Sequence, residues 1–126
     1  MIIEHLGISV SYPIKIAKWY EKNLGCKIQF LEGNDDGNKS VAFISDESNA
    51  KIIEFFKLPG ILPLNNFIEN PLQLHIAFRS EFPYEDSKRL IDEGATFLEE
   101  CLYKHDGEIL LLLKDPWGNT IQLVKR

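Results

Sequence analysis

The second half of this sequence repeats the first, and a repeat restricts the fold more than any single motif does. Displacing the chain by about seventy positions sets His5 against His75, Pro13 against Pro83 and Lys18 against Lys88. A slip of one residue then sets Gly25 against Gly94 and Ile28 against Phe97, and a further slip sets Glu54 against Gln122. Each slip falls where a loop can absorb it. Identity between the halves is low, so the shared pattern of elements carries the argument.

Each half opens on an apolar strand, residues 2–10 and 71–79, rich in Ile, Leu, Val and Phe. A helix is predicted next. Pro13 suits its first turn, where a missing N–H has no helical partner to lose. Ile16, Trp19, Tyr20 and Leu24 share one helical face, and Gly25 is a suitable stop because it adopts positive φ without a Cβ clash. Pro83, Leu90, Ile91 and Gly94 play these parts in the second half. Three further strands are expected in each copy, at 26–32, 39–45 and 50–57, and at 95–101, 108–114 and 119–125. Asn34-Asp35-Asp36-Gly37-Asn38 and Lys104-His105-Asp106-Gly107 read as hairpin turns. Asp35-Asp36 and Asp46-Glu47 are expected to be solvated. The pattern is α+β, with two βαβββ modules in one domain spanning 1–126: module one over about 1–58, a linker over 58–70 and module two over about 71–126. The linker carries Leu58, Ile61, Leu62, Leu64 and Phe67, which suggests packing onto the body or onto another subunit.

Composition removes several function classes. The net charge is −5 and the 14 basic residues are scattered, whereas a phosphate binder needs them clustered, so nucleic acid is not an expected partner. No run approaches the roughly 18 apolar residues of a membrane span. Met1-Ile2-Ile3-Glu4-His5 does not read as a signal peptide. Cys26 and Cys101 lie far apart with no C-x-x-C pattern, which fits reduced thiols in the cytoplasm. No P-loop, G-x-S-x-G or G-x-G-x-x-G is present.

Side chains alternate faces along a strand. With Leu6, Ile8 and Val10 turned to the helix, His5 lies on the opposite face with Ile3, Gly7 and Ser9. By the same alternation His75 lies opposite Leu72, Leu74, Ile76 and Phe78, in the company of Gln73, Ala77 and Arg79. Glu54 lies opposite Ile53 and Phe55, and Gln122 opposite Ile121 and Leu123. The face away from the helices therefore collects His5, Glu54, His75 and Gln122. Two imidazoles, a carboxylate and an amide oxygen suit a borderline divalent ion such as Zn, Ni, Co or Mn. The same four residues could also be ordinary polar groups facing a solvated groove. Arg79 could hold an anion or simply be a solvated strand end, and Trp117 is expected to cover core.

At these residues the sequence resembles the vicinal oxygen chelate superfamily of glyoxalases, bleomycin-resistance proteins and dioxygenases. The matching stretches are Ile3-Glu4-His5-Leu6-Gly7-Ile8-Ser9-Val10, Trp19-Tyr20 with Leu24-Gly25, Ile53-Glu54-Phe55, Leu74-His75-Ile76-Ala77-Phe78, and Asp115-Pro116-Trp117-Gly118-Asn119-Thr120-Ile121-Gln122-Leu123. The resemblance spans essentially the whole chain. It implies two modules paired into a curved mixed sheet around a cleft, helices outside, with a divalent metal held by His5, Glu54, His75 and Gln122. The nearest ligand pattern is that of glyoxalase I-like proteins. It further implies a lyase or isomerase working on a small oxygenated substrate through an enediolate-type intermediate, and a homodimer; in this chain Glu54, or metal-bound hydroxide, would then carry the proton. Gln122 departs from the family pattern, which most often has glutamate there. An amide cannot take a proton near neutral pH. That departure keeps a second reading open, a non-catalytic small-molecule-binding protein of the bleomycin-resistance kind.

Overall fold

A computed structural model describes residues 1–50 and 52–126. The chain divides into two compact units, Met1–Phe67 and Ile68–Arg126, with the division inside the expected linker. Unit one contains β1 (Leu6–Ser9), α1 (Pro13–Leu24), β2 (Lys27–Asn34), β3 (Lys39–Ser45) and β4 (Ile52–Lys57). Unit two contains β5 (Ile76–Arg79), α2 (Pro83–Asp92), β6 (Thr96–Glu100), β7 (Ile109–Lys114) and β8 (Thr120–Lys125). The fold is α+β, with one four-stranded mixed sheet and one helix per unit. The strand orders are β1-β4-β3-β2 and β5-β8-β7-β6. In each unit the first strand pairs parallel to the last, which a crossover through the helix makes possible, and the other pairs are antiparallel.

The repeat extends to an irregularity. β2 shifts register between Ile28 and Phe30, and β6 shifts between Phe97 and Glu99. Ile28 and Phe97 are the two residues the sequence repeat superposes, so both copies bulge at one equivalent place.

Helix α1 begins at Pro13 and ends on Gly25 at φ 70°, the left-handed conformation that glycine adopts freely. Ile16, Ala17 and Tyr20 are fully buried, and the Tyr20 ring meets Phe55 of β4 edge-on at 5.3 Å. Helix α2 also starts on a proline, Pro83, but its buried face is Pro83, Ser87 and Leu90. Ile91, expected in that face, is exposed.

Both opening strands are shorter than expected. β1 begins at Leu6, and Ile2 and Ile3 are exposed. Leu6 pairs with Ile53, the second described residue of β4. In unit two the expected strand over 71–79 opens instead as a 3-10 turn, Pro71–Gln73. The Asn70 side chain accepts from Leu72 N at 2.9 Å, and Gln73 Oε1 accepts from Asn70 N at 2.8 Å. That reciprocal cap draws Gln73 into its own turn and leaves Leu72 exposed. The expected strand over 50–57 is β4 from Ile52 onward, and residue 51 lies outside the described residues.

The linker is partly tied down. Ser9 Oγ donates to Leu62 O at 3.0 Å, and Leu64–Asn66 forms a single 3-10 turn. Ile61, Leu62 and Phe67 stay exposed. Asp35 is not a solvated turn residue, as sequence reasoning expects, but is buried. Trp117 is half-buried. Among the described residues, no helix is long and apolar enough to cross a membrane.

Candidate functional site

In unit one, Gly7 pairs with Glu54, so His5, two residues earlier and on the same face, stands beside that carboxylate. His5 Nε2 lies 3.4 Å from Glu54 Oε2. On its other side, Nδ1 of His5 donates to Glu4 Oε2. The Phe43 ring meets the imidazole edge-on at 5.4 Å. The hydrogen bond from Glu4 raises the His5 pKa above the ordinary imidazole value; desolvation opposes it, and the charges of Glu4 and Glu54 add to it. Glu54 also opens on a cavity of about 460 Å³, lined with Glu32, Lys39, Val41, Phe56 and Leu58 among others.

The His5 and Glu54 contact has a chemical consequence. With Nδ1–H pointed at Glu4, a deprotonated His5 would turn its Nε2 lone pair toward a carboxylate oxygen, and two acceptors would then face each other. A cation between them, a proton or a metal ion, resolves this. Two ligand atoms about 2.1 Å from a tetrahedral ion lie about 3.4 Å apart, which matches the observed separation.

Unit two repeats the geometry with changed chemistry. Ala77 pairs with Gln122 as Gly7 pairs with Glu54, so His75 and Gln122 hold the equivalent places. His75 Nδ1 donates to Leu72 O at 3.3 Å, which leaves Nε2 as its free nitrogen. Gln122 is buried, and its Nε2 donates to Cys101 Sγ at 3.8 Å. Around the thiol lie Leu110, Leu112 and Val124, with Leu98 against them. The face that opens into a cavity in unit one is thus an apolar cluster here. Arg79 is exposed.

Unit one brings His5 and Glu54 together, and in unit two the strand register sets His75 and Gln122 at the equivalent positions. Among the described residues, no three His, Cys, Asp or Glu side chains gather in a metal-sized cluster. The donors nonetheless suit a borderline divalent ion. In His5, His75 and Gln122 the nitrogen that would not coordinate is held by Glu4, by Leu72 O and by Cys101, which leaves Nε2, Nε2 and an amide oxygen for a ligand role. Sequence reasoning missed Glu4, Glu32 and Cys101. Carrying the repeat through the two bulges, which align Glu99 with Phe30, would have paired Cys101 with Glu32 and drawn attention to both.

The family model for the Glyoxalase/Bleomycin resistance protein/Dioxygenase superfamily matches residues 2–123, so the chain belongs to that superfamily. Solved structures agree on the fold. A glyoxalase family protein from Bacillus cereus superposes with a TM-score of 0.76 at 17% identity, over 98% of this chain and 93% of that one. A glyoxalase family protein from Enterococcus faecalis gives 0.71 at 21% identity, over 98% and 97%. Glyoxalase I from Zea mays gives 0.69 at 18% identity, over 97% of this chain but only 43% of the maize chain. No curated protein matches the sequence.

Proposed function

We propose that the protein is a divalent-metal-dependent lyase or isomerase of the glyoxalase kind, acting on a small oxygenated substrate. His5, Glu54, His75 and Gln122 hold the ion, with Zn, Ni, Co or Mn matching these donors. The observation that carries the reading is that His5 Nε2 faces Glu54 Oε2 at 3.4 Å. When bound, such an ion polarises substrate oxygens and stabilises negative charge that develops on them. Glu54 takes the proton from the carbon beside the carbonyl, because its carboxylate borders the cavity while Gln122 has no proton-accepting group. Val41, Phe56 and Leu58 give that cavity an apolar wall against which the carbon skeleton of a small substrate can pack.

The test is exchange of carbon-bound hydrogen from α-hydroxycarbonyl compounds into deuterated water by metal-loaded protein. Glu54→Gln is expected to slow exchange at least about a hundredfold, the scale of a lost general base. Exchange at the wild-type rate in that variant would overturn the assignment of Glu54. A second reading is a small-molecule-binding protein without chemistry, and the amide at position 122 favours it. Saturable binding of a carbonyl ligand with no exchange at all would select it.

Three further placements belong to this reading. The chain is one cooperative domain, and residues 1–67 expressed alone as a monomeric, cooperatively melting fragment would contradict that. It works as a homodimer, supported by exposed Ile61, Leu62 and Phe67 in the linker. It resides in the cytoplasm, supported by its two free, buried thiols, and recovery from an extracellular fraction would refute that.

A further inference from the structure

We infer that Cys101 is a positioning residue for Gln122: its sulfur receives the amide N–H and leaves the amide oxygen as the end that can coordinate. The inference rests on the metal reading above. Gln122 and Cys101 are 7% and 8% exposed, and the thiol sits among Leu110, Leu112 and Val124. An amide NH₂ in such surroundings must find an acceptor. It finds Cys101 Sγ at 3.8 Å, a weak acceptor held in place by the strand, since Cys101 N donates to Leu110 O at 2.8 Å. A cation draws the oxygen of an amide and repels its NH₂. Whenever Gln122 coordinates, its nitrogen must therefore point away from the ion, and in this structure the sulfur is what it donates to.

The other copy shows why the pair belongs together. The aligned bulges place Glu32 where unit two has Cys101, and the repeat places Glu54 where it has Gln122. Glu54 has no N–H to satisfy, and Glu32 lines the open cavity beside it. Where the ligand position carries an amide, the neighbouring position carries an acceptor small and apolar enough to be buried with it.

The experiment is a double-substitution cycle read by Co(II) affinity and by the Co(II) absorption spectrum. Cys101→Val keeps the volume and removes the acceptor. It is expected to weaken Co(II) binding about tenfold, as loss of a partner behind a metal ligand does. Cys101→Ser restores an acceptor and is expected to stay within about threefold of wild type, by the same reasoning. In a Gln122→Glu background no amide remains to be positioned, so adding Cys101→Val should leave Co(II) affinity unchanged. Wild-type affinity in Cys101→Val, or an equal loss in the Gln122→Glu background, would overturn the inference; the second result would mean that the valine acts through packing. The Gln122 side-chain ¹⁵N–¹H signal in metal-free protein separates this inference from the metal reading. It should move in Cys101→Val, and an unmoved signal overturns the positioning role. Absence of Co(II) binding in wild-type protein would instead bring down the metal reading itself.

Discussion

His5 sits between two carboxylates with unequal roles. Glu4 holds Nδ1 and is the largest influence raising the pKa of the ring, while Glu54 faces Nε2. Glu4 thus favours the protonated ring, and its contribution to folding is complete below the unfolded imidazole value and is lost as pH rises through the raised folded value. A metal requires the deprotonated ring, so affinity should climb with pH through that same raised value. Glu4→Gln keeps an acceptor for Nδ1 and removes the charge. It should lower the His5 titration midpoint, followed by NMR, and move the climb in metal affinity to lower pH. A titration curve unchanged by the substitution would show that Glu4 does not act on the ring. The four candidate ligands were readable in the sequence because the repeat placed one pair of residues over the other. Their supporting partners were not. Glu4 looks like any exposed acid, and Cys101 approaches Gln122 only once β6, β7 and β8 are aligned side by side.

At the scale of elements, the hairpin between β2 and β3 latches the start of α1. Asp35 Oδ1 accepts from Ile14 N at 3.1 Å and from buried Ser40 Oγ at 2.8 Å, and Oδ2 accepts from Lys15 N at 2.9 Å. Its carbonyl accepts from Lys57 Nζ at 2.9 Å. The residue before Pro13, Tyr12, makes no side-chain cap, so a carboxylate about twenty residues along the chain does a cap's work. Asp35→Ala should cost about 2 kcal/mol in urea unfolding, from a lost cap and an unpaired buried hydroxyl. Asp36→Ala, at an exposed neighbour, should stay within about 0.5 kcal/mol. Equal effects would refute the latch. Local sequence could not tell the two aspartates apart, because only the folded hairpin brings one of them to the helix. Helix starts were legible, since Pro13 and Pro83 act through their own rings. Strand β3 was legible to the residue, bounded by turn chemistry on both sides. The openings of β1 and β5 were not, because apolar content in Ile2, Ile3 and Leu72 does not reveal where pairing starts, and at β5 the Asn70–Gln73 cap turns the expected start into a 3-10 turn.

At the scale of the molecule, the two units share topology, register and bulge, yet their faces away from the helices have diverged. Unit one keeps a carboxylate beside an open cavity, and unit two buries an amide over an apolar cluster. Association of two copies would cover exposed apolar linker residues, so sedimentation at micromolar concentration should give about twice the 14.5 kDa chain mass. A species of single-chain mass throughout would contradict the dimer. The central claim is the proposal that His5, Glu54, His75 and Gln122 are the ligands of a divalent ion. Calorimetric titration of metal-free protein with Zn(II) or Co(II), in wild type and in His5→Ala and His75→Ala separately, tests it most directly. One ion per chain is expected in the wild type, with tight binding lost in each variant. Unchanged affinity and stoichiometry in either single variant would contradict that ligand set.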